Sequence, residues 1–176
     1  PGSAGRRIRL IRGQPAVCLR GGGSGRGPLD YIVGDVMEAD LSRWGGFFDI
    51  VFMGGLHYFH DLPAFMGRME ALLQPGGRMI CSDFHPFQKV ADILGFQTPA
   101  MDYFSTAIVE GEMVHARVYP PEIRAGFPKC RLRRYTLSEI INAVPEAGLL
   151  IRRFDEHPAW TDSRLPGEFT LLADKP

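Results

Sequence analysis

The clearest hydrophobic pattern in this chain lies between Asp49 and Asp83 and predicts two strands joined by a helix. The apolar run at residues 50–53 is too short for a helix and does not alternate, which is typical of a strand covered on both faces of a parallel sheet. A Pro-Gly-Gly turn at residues 75–77 precedes a second such run at residues 78–81. A strand, a helix and a strand of this length favour a right-handed parallel crossover.

Two helices are predicted from apolar spacing and from a cap. Apolar residues recur every three or four positions before the Pro-Gly-Gly turn, which indicates a helix with one face on the sheet. Thr136 and Glu139 form the Thr-x-x-Glu pattern of a capping box, so we expect a second helix that Gly148 ends. The expected inward-facing residues of the two helices are Phe65, Met69, Leu72, Ile140, Ile141 and Val144.

The remaining apolar runs complete a sheet. Residues 31–33 predict a short strand that ends at Gly34-Asp35, and residues 149–154 and 169–173 predict an antiparallel pair that closes the sheet. Residues 85–134 are rich in aromatic residues and proline, and this segment is too long for a simple loop. Such a length favours a lid or a substrate-binding insertion.

Residues 1–28 differ in composition from the rest of the chain. They contain eight Gly, six Arg and three Pro with few large apolar residues, which favours a poorly specified leader before a domain at residues 29–176. Only residues 7–12 alternate in a way that predicts one short strand. The leader is either a flexible or engineered segment or GC-rich sequence read out of frame, and the residues do not distinguish these alternatives.

Composition excludes several classes of protein. The formal net charge is zero, but residues 1–29 carry six Arg and no acid, whereas the rest of the chain is acidic. The basic head lacks interleaved aromatic residues, so we expect no nucleic-acid partner. Three distant cysteines without a Cys-x-x-Cys pair indicate reduced thiols and a cytoplasmic location. No apolar run is long enough to span a membrane.

The sequence DIVFMGGLHYFHDL followed by LLQPGGRMICSDF resembles the second half of the class I S-adenosylmethionine-dependent methyltransferases. The resemblance extends from about Leu29 to the C-terminus, and the LLQPGGRM turn is its most specific part. It implies an α/β Rossmann-like methyltransferase fold, in which a sheet with parallel strands ends in a C-terminal antiparallel hairpin and is truncated at its N-terminal strands. It also implies S-adenosylmethionine as the cofactor and methyl transfer to a small molecule or another unidentified acceptor.

The resemblance assigns cofactor contacts at two strand ends. Asp35 would accept a hydrogen bond from the exocyclic amine of adenine, and Val36 would pack on the adenine ring; the alternative is that Asp35 caps a turn or a helix. Gly54, Gly55 and Leu56 would border the methionine portion and the transferred methyl group. Glycines suit this position because they let the backbone approach a ligand closely.

The candidate catalytic residues are His57, Asp83 and His85. A base is needed only if the acceptor must lose a proton, as a hydroxyl does, and histidine has a pKa near neutrality. His60 is a second base candidate. The alternatives are that His57 packs under the sheet edge and that His60 begins the following helix. A metal site is not expected, because no third ligand lies at a useful spacing.

A basic patch surrounds Cys130 and comprises Lys129, Arg131, Arg133 and Arg134. The acidic character of residues 30–176 disfavours nucleic-acid binding at this patch. A solvated edge strand or a contact to one anionic group of a substrate remain as alternatives. Cys130 is not expected to be a nucleophile, because no activating histidine is near it in sequence.

The resemblance lacks one part of the family pattern. The family has a glycine-rich loop between a strand and a helix, but the glycines at residues 21–27 follow no apolar strand and precede no amphipathic helix. The family also has an acid that holds the ribose hydroxyls, and no acid precedes Asp30 in this sequence. An inactive fragment or pseudo-enzyme that only associates with partners is therefore the alternative function. A Rossmann-type dehydrogenase is a weaker alternative, because neither a Gly-x-Gly-x-x-Gly turn nor a Tyr/Lys pair is present.

The absence of recognisable central strands yields a prediction about association. A sheet that lacks them exposes an edge and an apolar face, so the isolated chain should self-associate across that edge or fold poorly. Light scattering combined with thermal unfolding measures both properties. A clean monomer that unfolds cooperatively would contradict the prediction.

Overall fold

The computed structural model describes residues 7–11, 29–89, 102–113, 116 and 119–176 of the 176 residues. The chain divides into two compact units, Pro1–Arg43 and Trp44–Pro176. In chain order, the strands and helices are β1 (Arg7–Ile11), β2 (Leu29–Val33), β3 (Phe48–Met53), α1 (Leu62–Leu72), β4 (Leu73–Phe84), β5 (Ile108–Gly111), α2 (Pro121–Arg124), β6 (Cys130–Arg133), α3 (Leu137–Glu146), β7 (Leu150–Pro158) and β8 (Pro166–Asp174).

The second unit is built on a four-stranded sheet with the order β3-β4-β8-β7. β3 and β4 are parallel and α1 connects them, which confirms the predicted strand–helix–strand unit. β7 and β8 form the predicted antiparallel hairpin, and β8 is also antiparallel to β4. β4 begins earlier than predicted, because Leu73 already pairs with Phe48.

Both long helices cover the same face of this sheet. α1 packs against β3 and β4, α3 packs against β7, and the two helices pack against each other. Because side chains alternate along a strand, one residue in two points to these helices. The strand residues buried on this face are Val51, Met53, Met79, Cys81, Phe169, Leu171 and Ala173.

Apolar spacing predicted the buried face of α1 correctly and that of α3 in part. All three predicted residues of α1 are buried. In α3, Ile140 and Val144 are buried, whereas Ile141 is only half-buried and Ala143 is buried in its place. Ala143 lies three residues after Ile140, so the two share a helix face from which Ile141 is rotated.

The expectation that β3 is covered on both faces is wrong. Val51 and Met53 are buried, but Ile50 is 58% exposed and Phe52 is 71% exposed. Phe52 is in register with Ile80, which is half-buried. The apolar run indicated a strand correctly, but α1 and α3 cover only the face to which Val51 and Met53 point.

The first unit contains a parallel pair formed by β1 and β2, with Arg7 opposite Leu29 and Ile11 opposite Val33. The short strand predicted in residues 7–12 is therefore present and has a partner in residues 29–33. The boundary between the two compact units falls after Arg43, and the start of the domain at Leu29 stays a prediction. Cys18 and the glycines of residues 21–27 lie outside the described residues.

The predicted insertion at residues 85–134 contains a small two-stranded sheet. β5 and β6 are antiparallel, and α2 lies between them in sequence. The hydroxyl of Tyr103 accepts a hydrogen bond from the backbone N–H of Leu137 at 2.9 Å, which joins this segment to the start of α3. Residues 90–101, 114–115 and 117–118 of this segment lie outside the described residues. Among the described residues of the chain, no helix is long and apolar enough to cross a membrane.

The capping box predicted at Thr136 is present. Thr136 Oγ1 accepts a hydrogen bond from the backbone N–H of Glu139 at 3.2 Å, and Glu139 Oε2 accepts one from the N–H of Thr136 at 2.7 Å. Arg133 also donates to Glu139. Burial alone would raise the pKa of Glu139, but these hydrogen bonds outweigh it and lower the pKa below its usual value.

The capping box predicts a local effect on stability. Thr136→Ala removes the acceptor for the Glu139 N–H, so the free energy of unfolding should fall by about 1 kcal/mol. Asn142→Ala, at an exposed position of the same helix, is the matched control and should have a smaller effect. Urea unfolding measures both variants, and an equal loss in the two would argue against a stabilising cap.

Candidate active site

The carboxyl ends of β3 and β4 lie side by side, because these strands are parallel neighbours. Met53 pairs with Cys81, so the loop that begins at Gly54 lies beside Ser82 and Asp83 at the end of β4. Ligands bind at this edge in open α/β sheets. The predicted site residues that follow β3 therefore share an edge with those that end β4.

The backbone at this edge requires both glycines. A Cβ on Gly54 would lie 2.5 Å from the carbonyl oxygen of Ser82, so the missing side chain lets the loop run directly against β4. Gly55 has a left-handed φ of 73°, a conformation that other residues adopt at a cost. The close approach seen here is to β4, and the contact of these glycines with a cofactor stays a prediction.

The Asp83 carboxylate holds this loop. Its Oδ2 atom accepts a hydrogen bond from the backbone N–H of Leu56 at 2.6 Å, and its Oδ1 atom accepts one from the N–H of Phe84 at 2.8 Å. Nδ1 of His57 lies 3.9 Å from Oδ1, and the two side chains are only 12% and 6% exposed. Asp83 therefore both fixes the loop and faces the imidazole that the sequence singled out.

A cavity of about 30 Å³ lies beside this pair. Leu56, His57 and Asp83, all predicted site residues, line it together with further polar side chains from other elements. These further side chains are Gln88, Arg134 and Tyr135. The structure thus brings three predicted residues into one small site that also contains an arginine, an amide and a phenol.

Two contacts join the His57 turn (residues 56–60) to β6 and to the residues between β6 and α3. Tyr135 donates its hydroxyl proton to the carbonyl oxygen of Phe59 at 2.8 Å, and Nε2 of His60 lies 3.1 Å from the carbonyl oxygen of Arg131. Burial raises the pKa of Tyr135 to about 12, so its hydroxyl stays protonated at neutral pH. Of the two histidines weighed as bases, His57 lines the cavity, and His60 contacts the backbone of β6.

His85 occupies a joint between β4 and the β7–β8 hairpin. Its Nδ1 accepts a hydrogen bond from the backbone N–H of Phe87 at 3.0 Å, and its Nε2 lies 2.9 Å from a carboxylate oxygen of Glu156. The backbone N–H of His85 donates to the carbonyl oxygen of Gly167. Burial lowers the pKa of His85 by more than Glu156 raises it. His85 is not among the residues that line the cavity, and its contact with substrate stays a prediction.

Asp35 and Val36 belong to the first unit. Asp35 Oδ1 accepts a hydrogen bond from the N–H of Met37 at 2.9 Å, and the Asp35 carbonyl accepts from Glu38 and Ala39. The turn-capping role that the sequence left open for Asp35 is therefore present. Val36 is buried. The adenine contacts assigned to both residues stay predictions.

In the part of the chain that the structure describes, no group of three or more His, Cys, Asp or Glu side chains is arranged to hold a metal ion. Cys81 is free, and burial followed by the charge of Asp83 raises its pKa well above the usual value. Its thiol therefore stays protonated and is a poor nucleophile.

Solved structures to which this chain is similar include S-adenosylmethionine-dependent methyltransferases. One assigned to this class from Listeria monocytogenes has a TM-score of 0.64 at 16% identity, covering 87% of this chain and 72% of that one. One from Mesorhizobium loti has a TM-score of 0.59 at 20% identity, with 85% and 72% covered. One from Methanosarcina mazei has a TM-score of 0.54 at 15% identity, with 85% and 68% covered.

These likenesses establish the fold. The chain has the α/β Rossmann-like fold of the class I S-adenosylmethionine-dependent methyltransferases, which confirms the fold that the LLQPGGRM resemblance implied. No protein-family model matches the sequence, and no curated protein has significant sequence similarity to it.

Three polar lining residues were not singled out from the sequence for this site. Arg134 was noted only as part of the basic patch, and Gln88 and Tyr135 carried no signal of their own. The capping box placed residues 134 and 135 just before α3, but it did not indicate that α3 begins beside His57. Tyr135 and Phe59 are 76 residues apart, and no local pattern reports such a contact.

The environment of His85 predicts a pH dependence of stability. The folded protein holds His85 with a lowered pKa, so the unfolded chain binds a proton more readily, and the free energy of unfolding should fall as pH drops below about 6.5. Between about pH 8 and pH 5, the free energy of unfolding measured with urea should fall less steeply for His85→Gln than for wild type. The exposed His157→Gln is the control and should keep the wild-type slope; parallel curves for wild type and His85→Gln would refute the prediction.

Proposed function

We propose that this chain binds S-adenosylmethionine and transfers its methyl group to a small-molecule acceptor. The observation that carries the proposal is the cavity lined by His57 and Asp83 at the carboxyl ends of β3 and β4, in a chain with the methyltransferase fold. Ligands of open α/β sheets bind at this edge.

The residues at the two strand ends suit the cofactor. Asp35 offers a carboxylate acceptor for the adenine amine, and Val36 offers an apolar side chain for the ring. Gly54 is exposed and has no side chain to block a ligand, and Leu56 is fixed because Asp83 accepts its N–H. Gly55 completes this loop, which would border the methionine portion of the cofactor.

The bound cofactor would supply an electrophilic methyl group on a sulfonium, which would pass in line to the acceptor as S-adenosylhomocysteine leaves. Most of the acceleration in such a reaction comes from positioning and from exclusion of water. His57 would accept the proton of an acceptor hydroxyl, and Asp83, 3.9 Å from its Nδ1, would favour the charged imidazolium that results. His85 contributes by holding the turn that follows Asp83.

Self-association through the edge of β3 also remains a proposal. Ile50 and Phe52 support it, because both are large, apolar and more than half exposed on the edge strand of the four-stranded sheet. Exposed apolar strands at sheet edges favour pairing with another chain.

Cofactor binding predicts a measurable heat with S-adenosylhomocysteine. Calorimetry should show binding at micromolar concentration, and Asp35→Asn should weaken it by about tenfold through loss of a charge-assisted hydrogen bond. The asparagine keeps an oxygen for the Met37 N–H, so the turn persists. Asp40→Asn makes the same change at a second turn-capping acid and is the matched control.

Two results would count against the proposal. An absence of heat at millimolar S-adenosylhomocysteine would favour the inactive-fragment alternative. Equal affinities of Asp35→Asn, Asp40→Asn and wild type would remove Asp35 from the cofactor site while leaving cofactor binding in place.

A further inference from the structure

We propose that Tyr135 is a positioning residue for His57, because its hydroxyl fixes the turn that carries the imidazole beside Asp83. The proposal rests on the proposed function, since it assigns a further residue to the reaction in which His57 would take up a proton. It uses only contacts within the second unit.

The backbone of the His57 turn is held on both sides of His57. Before it, the N–H of Leu56 donates to the Asp83 carboxylate at 2.6 Å. After it, the carbonyl oxygen of Phe59 accepts the hydroxyl proton of Tyr135 at 2.8 Å. Loss of either contact would loosen one end of the short segment from which the imidazole projects.

Tyr135 is a rigid anchor for this contact. Its side chain is buried, and the guanidinium of Arg133 lies 4.1 Å from the centre of its ring. The backbone after it is fixed as well, because Thr136 is the N-cap of α3. A tyrosine held at its ring and next to a helix cap keeps its hydroxyl in one place. The hydrogen bond to Phe59 therefore fixes the turn relative to the start of α3.

The other contacts of the turn are made by its side chains. The ring of Phe59 stacks on that of Phe65 in α1, with 3.8 Å between the ring centres, and Nε2 of His60 lies 3.1 Å from the carbonyl oxygen of Arg131. The Tyr135 hydroxyl instead bonds to the backbone of the turn. Backbone contacts determine where the Cα atoms of a short turn lie, so these side-chain contacts do not replace it.

The contact persists while a histidine titrates. Burial raises the pKa of Tyr135 to about 12, whereas an unperturbed histidine titrates near about 6.5. The hydroxyl therefore remains a donor whether His57 is neutral or charged. Tyr135 would hold the imidazole in place both before and after it takes up a proton.

The position of His57 determines which of its nitrogens can accept a proton. Nδ1 lies 3.9 Å from Oδ1 of Asp83, so the two groups interact through charge rather than through a direct hydrogen bond. A carboxylate on this side favours the neutral form with its proton on Nδ1, which leaves Nε2 free to accept. Misplacement of a reacting group by about 1 Å can lower a rate by about a hundredfold.

The test measures the tautomer of His57 by long-range ¹H–¹⁵N NMR at about pH 8, where an unperturbed histidine is neutral. Wild type should show mainly the Nδ1–H form. Tyr135→Phe removes the hydroxyl and keeps the ring, so the share of the Nε2–H form should rise. Tyr103→Phe is the matched control, because it removes a tyrosine hydroxyl that contacts the start of α3 at the Leu137 N–H. It should leave the His57 signals unchanged.

Three results overturn the proposal: a wild-type His57 that is not mainly in the Nδ1–H form, a folded Tyr135→Phe with the wild-type tautomer, or an equal change in Tyr103→Phe. Urea unfolding shows whether each variant is folded. If Tyr135→Phe does not unfold cooperatively, Arg133→Gln decides, because it takes the guanidinium from the Tyr135 ring and keeps the hydroxyl. A tautomer shift in the same direction would support the proposal, and unchanged His57 signals would overturn it.

Calorimetry with S-adenosylhomocysteine on the same proteins separates this result from failure of the proposed function. Cofactor binding together with an unchanged tautomer in Tyr135→Phe would overturn the positioning role alone. A changed tautomer in a chain that binds no S-adenosylhomocysteine would keep the positioning of His57 and overturn methyl transfer.

Discussion

The organisation of the site depends on the Asp83 carboxylate. One of its oxygens accepts the N–H of Leu56 and the other that of Phe84, at 2.6 and 2.8 Å. Leu56 belongs to the loop after β3 and Phe84 ends β4, so one buried side chain joins the ends of two parallel strands. Backbone donors to an ionised carboxylate form stronger hydrogen bonds than neutral pairs, and they offset the cost of burying the charge.

This interaction lies next to a close backbone approach at Gly54. A Cβ at that position would stand 2.5 Å from the carbonyl oxygen of Ser82, so the loop or β4 would have to shift. Gly54 and the Asp83 carboxylate together determine the path of this loop. Along this path His57 lies at the cavity wall, and the backbone of Gly54 is exposed.

Signals that act over a few residues were enough to predict β3, α1, β4, the capping box and the closing hairpin. They also placed Asp83 at the end of β4, where it is found. The apolar run of β3 showed that its residues are hydrophobic but not what covers them, so the exposure of Ile50 and Phe52 was missed. Arg134 was missed at the cavity because its position depends on a hydrogen bond between Tyr135 and Phe59, 76 residues apart.

The start of α3 has two roles, of which the sequence indicated only the capping of the helix. Thr136 and Glu139 satisfy the first N–H groups of the helix, and the residues directly before them form one wall of the cavity. Because the cap fixes where the helix begins, it also fixes the backbone from which Arg134 and Tyr135 project. A local rule of helix formation thereby fixes part of the wall of the cavity that His57 also lines.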